Sequence, residues 1–195
     1  MSRPSFYTMA GFQAGIAGVA AILLQVLPQG ASEFGKMGSL AWLWGLMAAL
    51  LSYTLLAGVN RYSNLMQRHT FATLQRVRPL FTRLTLWQMV VISALAGIGE
   101  ELLFRAFLQN LISGHSNIWL GLGLSSLIFA LLHFLSWFYF CITLLMGLLL
   151  GAGYYLSNSI LFVIVWHGVY DLIALWVLVH APQWLGLPRA SVLKL

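Results

Sequence analysis

Acidic side chains are almost missing from this chain: across 195 residues there are four, Glu33, Glu100, Glu101 and Asp171. Charged residues of either sign make up only 7%, where soluble domains carry about 25%. That scarcity excludes a soluble globular domain. Cysteine is equally sparse, and the lone Cys141 excludes an internal disulfide framework and a Cys-type zinc cluster. No repeat at solenoid period is present, and no stretch between apolar runs forms a separate soluble domain. What the chain does contain is apolar mass, 61% hydrophobic residues, with eight tryptophans and seven tyrosines suited to membrane interfaces. The composition is that of an all-α polytopic membrane protein.

Six apolar segments are long enough to be read as spans of a ~30 Å hydrocarbon core. They cover about Phe6–Leu27, Ser39–Val59, Leu84–Ile112, Ile118–Leu135, a fifth ending near Leu156, and Ser159–Val179. Arg3 precedes the first, but no small-residue cleavage site follows it, so it reads as a retained helix. A loop from Pro28 to Gly38 carries Glu33 and Lys36. Ser136 and the aromatics Trp137 to Phe140 read as a tight interfacial turn. Gly147, Gly151 and Gly153 give the fifth segment a small-residue face for close helix approach.

The net charge of +6 is concentrated between the second and third spans, at Arg61, Arg68, Arg76, Arg78 and Arg83. A basic cluster invites a nucleic-acid reading. In a short loop between spans the positive-inside rule accounts for it without nucleic acid, and makes that side cytoplasmic. Arg3, Arg189 and Lys194 then put both termini on the same side. Within the loop, Phe71, Leu74, Val77, Phe81 and Leu84 recur at steps of three and four, predicting a helix that lies in the membrane interface and breaks or kinks at Pro79. Residues 1–84 thus form two amino-terminal spans and a basic loop, 85–180 a four-span core, and 181–195 a short cytoplasmic tail. Short loops point to a prokaryotic cell membrane.

Two of the four acidic residues stand together in Gly97-Ile98-Gly99-Glu100-Glu101-Leu102-Leu103-Phe104-Arg105, inside the third span. An ionisable group at the bilayer centre costs roughly 2.5–3.5 kcal/mol on insertion scales. On a helix Glu101 and Arg105 are four apart and can pair. Glu100 is rotated about 100° away and lacks a partner in its own segment. His133 closes the fourth span, and His167 and Asp171 share a face of the sixth. His69, His115 and His180 fall in loops or at span ends. Three spans each bringing such groups predict one shared polar site.

The pattern Glu-Glu-x-x-x-Arg (Glu100, Glu101, Arg105), then Phe-x-x-x-His (Phe129, His133), then His-x-x-x-Asp (His167, Asp171) resembles the CPBP family of intramembrane proteases, the CAAX-protease and bacteriocin-processing type also called ABI. The likeness covers about Leu86 to Leu178. It implies that Glu100 activates water, that His133 helps to hold it, and that His167 and Asp171 stabilise the oxyanion. Glu101 and Arg105 would be the supporting pair, with Phe129 beside them. The substrate class implied is a peptide or a membrane-anchored protein tail. Asp171 stands where CAAX-type members carry Asn. An ionised Asp171 repels an oxyanion, so it must be protonated, orient His167, or ligate a metal. Metal-free glutamate catalysis is the expectation. The alternative is a divalent ion such as zinc on Glu100, His133, His167 and Asp171.

Two other functions use the same residues: a non-catalytic immunity or scaffold protein that keeps the pocket, and a proton or cation carrier. The complete set of base, histidines and ion pair speaks against the first. The lack of two similar halves speaks against the second.

Overall fold

The computed structural model describes residues 4–26 and 35–187, so Arg3, Glu33, Pro28, Arg189 and Lys194 lie outside the described residues. Those residues are helical almost throughout. In chain order they form α1 (Phe6–Leu23), a 3₁₀ turn (Leu24–Val26), a second 3₁₀ stretch (Gly35–Leu40), α2 (Ala41–Tyr62), α3 (Asn64–Phe81) and α4 (Leu86–Glu101). A π-helical segment (Leu102–Gln109) leads without a break into α5 (Asn110–His115), followed by α6 (Ile118–Leu132), α7 (Trp137–Ser157), α8 (Ile160–His180) and a final 3₁₀ turn (Pro182–Leu185).

Polar side chains start these helices. Ser5, Ser63, Asn117, Ser136 and Ser159 each accept a hydrogen bond from a backbone N–H in the first turn that follows. Thr85 and Gln88 form a reciprocal capping box at α4. Ser136 is thus a cap, and Trp137 to Phe140 are the first turn of α7 rather than the interfacial turn expected from their aromatic character. At the other end of α7, Asn158 turns the chain in the left-handed region with φ 51°.

Four stretches are long and apolar enough to cross a membrane: Phe6–Leu23, Gly35–Tyr62, Trp137–Ser157 and Ile160–His180. Helix α6 is apolar but shorter. The third expected span is a composite of α4, the π-helical segment and α5. Large apolar side chains such as Trp42, Leu51, Leu55, Leu132 and Leu156 are exposed on this bundle, as an outer surface facing lipid requires. It is a helical polytopic membrane protein.

Helix α8 packs against both α2 and α4, α1 packs on α4 and the π-helical segment, and α6 packs on α7. Close approach between α4 and α8 depends on Gly97. A Cβ there would stand 2.8 Å from Ile164 O and 2.9 Å from Gly168 N. In lipid, where apolar burial drives little association, such backbone contact is what holds helices together. The small face of α7 works the same way, since its Gly147 and Gly151 carbonyls accept from Arg105 and Gln109.

Helix α3 carries the arginine-rich sequence and is amphipathic as expected. It runs through Pro79 and ends two residues later at Phe81, so proline does not break it there. Leu74 of α3 packs with Leu187 and Leu185, which seats the beginning of the carboxy-terminal tail on this helix.

Candidate active site

Four elements bring the polar residues together. The junction of α4 and the π-helical segment carries Glu100, Glu101 and Arg105; the end of α6 carries His133; α8 carries His167 and Asp171. α1 adds Gln13, which the sequence did not single out. π-Helical turns are rare and concentrate at functional sites, and this one begins directly after Glu101. Phe104, Arg105, Ala106 and Gln109 of the segment are buried.

Glu101 and Arg105 form the floor. Both are fully buried, and Arg105 Nη1 donates to Glu101 Oε1 at 2.8 Å. Arg105 Nη2 also donates to Gly147 O at 3.1 Å, and its guanidinium lies 4.7 Å from the centre of the Phe129 ring. The ion pair expected from the four-residue spacing is therefore present. It is not isolated, because His167 Nδ1 lies 2.6 Å from the same Oε1 of Glu101. A carboxylate bonded to Arg105 accepts, so His167 Nδ1–H donates, and this fixes the ring and leaves Nε2 facing the other way.

Glu100 lies just above this floor with 5% of its surface exposed. Its Oε1 accepts from Gln13 Nε2 at 3.1 Å. Its Oε2 is buried and has no hydrogen-bond partner among the described residues. This oxygen is faced by His133 Nε2 at 3.6 Å and His167 Nε2 at 3.9 Å. His133 Nδ1 donates to Phe129 O at 2.8 Å, since a carbonyl can only accept, so its Nε2 is also turned inward. The Phe129 ring packs on His133 at 4.4 Å, on Phe104 at 5.2 Å and on His167 at 6.0 Å between centres. Phe129 thus braces both histidines and the arginine.

Asp171 stands at the open side with its side chain 39% exposed, and its Oδ2 is 3.4 Å from His167 Nε2. The side chain of His133 is 31% exposed. The site therefore runs from a dry ion pair through a nearly buried carboxylate to two groups that meet a cavity. That cavity measures about 290 Å³, and His133, His167, Asp171 and Tyr139 are among its lining. Its other walls are chiefly apolar, from α2, α3, α7 and α8, with Met66, Thr70, Thr73 and Leu74 of α3 closing one side. Glu100 is not among the lining residues and reaches the cavity past the two histidines.

Atoms 3.6–3.9 Å apart cannot hydrogen-bond directly, yet one water can lie within about 2.8 Å of Glu100 Oε2 and of either Nε2. The arrangement of Glu100 Oε2 with the two Nε2 atoms is thus suited to hold a water. No group of three or more His, Cys, Asp or Glu side chains among the described residues is arranged to hold a metal ion. Of the remaining histidines, His69 stacks on Phe138 and His180 on Trp176, outside the site.

Gln13 and Tyr139 escaped the sequence reading. Gln13 is the one amide of α1. Tyr139 belongs to an aromatic run whose composition suits an interfacial turn equally well.

No curated protein matches the chain, and no solved structure does. A family model does: residues 82–173 match the type II CAAX prenyl endopeptidase Rce1-like family, Rce1-like. That segment begins just before α4 and ends within α8, and it contains Glu100, Glu101, Arg105, Phe129, His133, His167 and Asp171. Residues 82–173 of this membrane protein form an Rce1-like domain, consistent with the CPBP/CAAX protease family.

Proposed function

We propose that the protein is an intramembrane endopeptidase in which Glu100 activates water against a peptide bond of a membrane-associated substrate. The observation that carries this reading is Glu100 Oε2, buried and without a hydrogen-bond partner among the described residues, facing His133 Nε2 at 3.6 Å and His167 Nε2 at 3.9 Å.

In this reading a water bonded to Glu100 Oε2 and His133 Nε2 attacks the scissile carbonyl. Glu100 takes one of its protons and later delivers it to the leaving amine as the C–N bond breaks, so protons balance over the cycle. His167 is the electrophile. With Nδ1–H held by Glu101, its protonated form presents Nε2–H toward the developing oxyanion. Asp171 Oδ2, 3.4 Å from the same Nε2, supports the second of the three roles open to Asp171: it holds His167 in the resting site, and Nε2–H passes from it to the oxyanion as charge develops there. In this reading the water is activated by the carboxylate and the histidines, and no step uses a metal.

The apolar cavity gives a peptide or a lipid-modified tail a dry place beside the histidines. It lies against α3, the helix of the arginine-rich stretch, so under the positive-inside rule it is reached from the cytoplasmic side. A prokaryotic cell membrane remains the proposed setting.

The test is cleavage of a fluorescence-quenched farnesylated CAAX peptide by the protein in liposomes, with products identified by mass. Release of a carboxy-terminal fragment by wild type and not by Glu100→Gln is expected. An intact peptide with both proteins contradicts the reading.

A further inference from the structure

We propose that Gln13, on α1 and outside the segment that matches the family, is a positioning residue that fixes the plane of the Glu100 carboxylate so that its free oxygen faces the water. The proposal rests on the reading of Glu100 as the base.

The geometry is specific. Gln13 Nε2 donates to Glu100 Oε1 at 3.1 Å, across 87 residues of sequence. It is the hydrogen-bond donor to Glu100 among the described residues, because Arg105 is committed to Glu101 and to Gly147 O. A carboxylate only accepts, so the amide must turn its NH₂ toward Glu100. With Oε1 held, Oε2 is the oxygen left toward His133 and His167. Without this bond the carboxylate is free to rotate about its last torsion, which has broad and nearly two-fold preferences.

A purely structural account of Gln13 fails on its other atom. Gln13 Oε1 is buried and has no hydrogen-bond partner among the described residues, a condition that destabilises. A leucine in its place would fill the same span without that loss. The seat for this contact is built into α4 as well. At Gly99, next to Glu100, a Cβ would stand 3.0 Å from Ala17 N and 3.1 Å from Gln13 O. Glycine there admits the α1 backbone close enough for the amide to reach.

The experiment uses Gln13→Met, which keeps length and removes the donor, and Gln13→His, which restores an N–H at similar reach. In the farnesylated-peptide assay kcat for Gln13→Met should fall on the order of 10²-fold, the scale of a small misplacement of a reacting group. KM and the unfolding midpoint should stay at wild-type values, and Gln13→His should recover part of the rate. Infrared difference spectra read the contact without turnover. With four acidic residues in the chain, subtracting the spectrum of Glu100→Gln in each background isolates the Glu100 carboxyl bands. They should shift in Gln13→Met and return in Gln13→His. Bands that do not shift overturn the proposal, as does a shift with unchanged kcat. Shifted bands in a protein whose wild type cleaves no peptide would instead overturn the peptidase reading and leave the contact standing.

Discussion

His167 Nδ1 and Arg105 Nη1 converge on one oxygen, Glu101 Oε1, at 2.6 and 2.8 Å. The ion pair that the sequence suggested as support is therefore also the mount of a histidine that faces the cavity. Glu101→Gln should act twice, since it leaves a buried arginine uncompensated and frees the His167 ring. Breaking a buried pair costs about 3–5 kcal/mol, so the unfolding midpoint in detergent should drop together with peptidase rate. A variant that is slow but as stable as wild type would contradict this double role.

Asp171 offers a sharper test of chemistry. Asparagine keeps its shape and retains an oxygen that can accept from His167 Nε2–H, while adding a donor. Asp171→Asn should stay within about tenfold of wild type, whereas Asp171→Ala, which leaves His167 unheld on that side, should lose on the order of 10²-fold in rate, the scale of a small misplacement of a reacting group. Equal loss in both variants would mean that the negative charge of Asp171 is what His167 needs.

Chelation bears on the nature of the catalyst. A glutamate-activated water needs no ion, so treatment with a strong chelator should leave the rate unchanged, and elemental analysis of the purified protein should find no stoichiometric zinc. Parallel loss of metal and activity would transfer the site to the zinc alternative.

Gly99 predicts a structural coupling between α1 and the site. Gly99→Leu should push α1 from α4 and detach Gln13, lowering activity as Gln13→Met does. Adding Gly99→Leu to Gln13→Met should then cost little more, because both remove the same contact. Full additivity of the two losses would argue that α1 acts at Glu100 by another route.

Much of this was readable from the chain because charge is so scarce in it. When three ionisable groups stand in one apolar segment, four-residue spacing is enough to pair Glu101 with Arg105 and to align His167 with Asp171. Spacing, however, orders only the faces of one helix. It does not say which helices are neighbours, so the bond from Gln13 to Glu100 and the one from His167 to Glu101 had no local signature. The π-helical segment was hidden for a related reason: Leu102–Gln109 contains no glycine or proline to announce it. The aromatic run at Trp137 was misplaced because bulky aromatics suit both an interfacial turn and a helix end, and Ser136 decides between them by capping α7.

The central claim is that Glu100, and not its neighbour, takes the proton from water. Its most direct measurement compares single-turnover cleavage of the farnesylated peptide by wild type, Glu100→Gln and Glu101→Gln in liposomes, with unfolding midpoints recorded alongside. General-base catalysis contributes about 10²–10⁴ in rate, so Glu100→Gln should fall by at least that factor while keeping the wild-type midpoint. Glu101→Gln should lose both stability and rate. A fully active Glu100→Gln beside a dead but normally folded Glu101→Gln would show that the two carboxylates have been assigned in reverse.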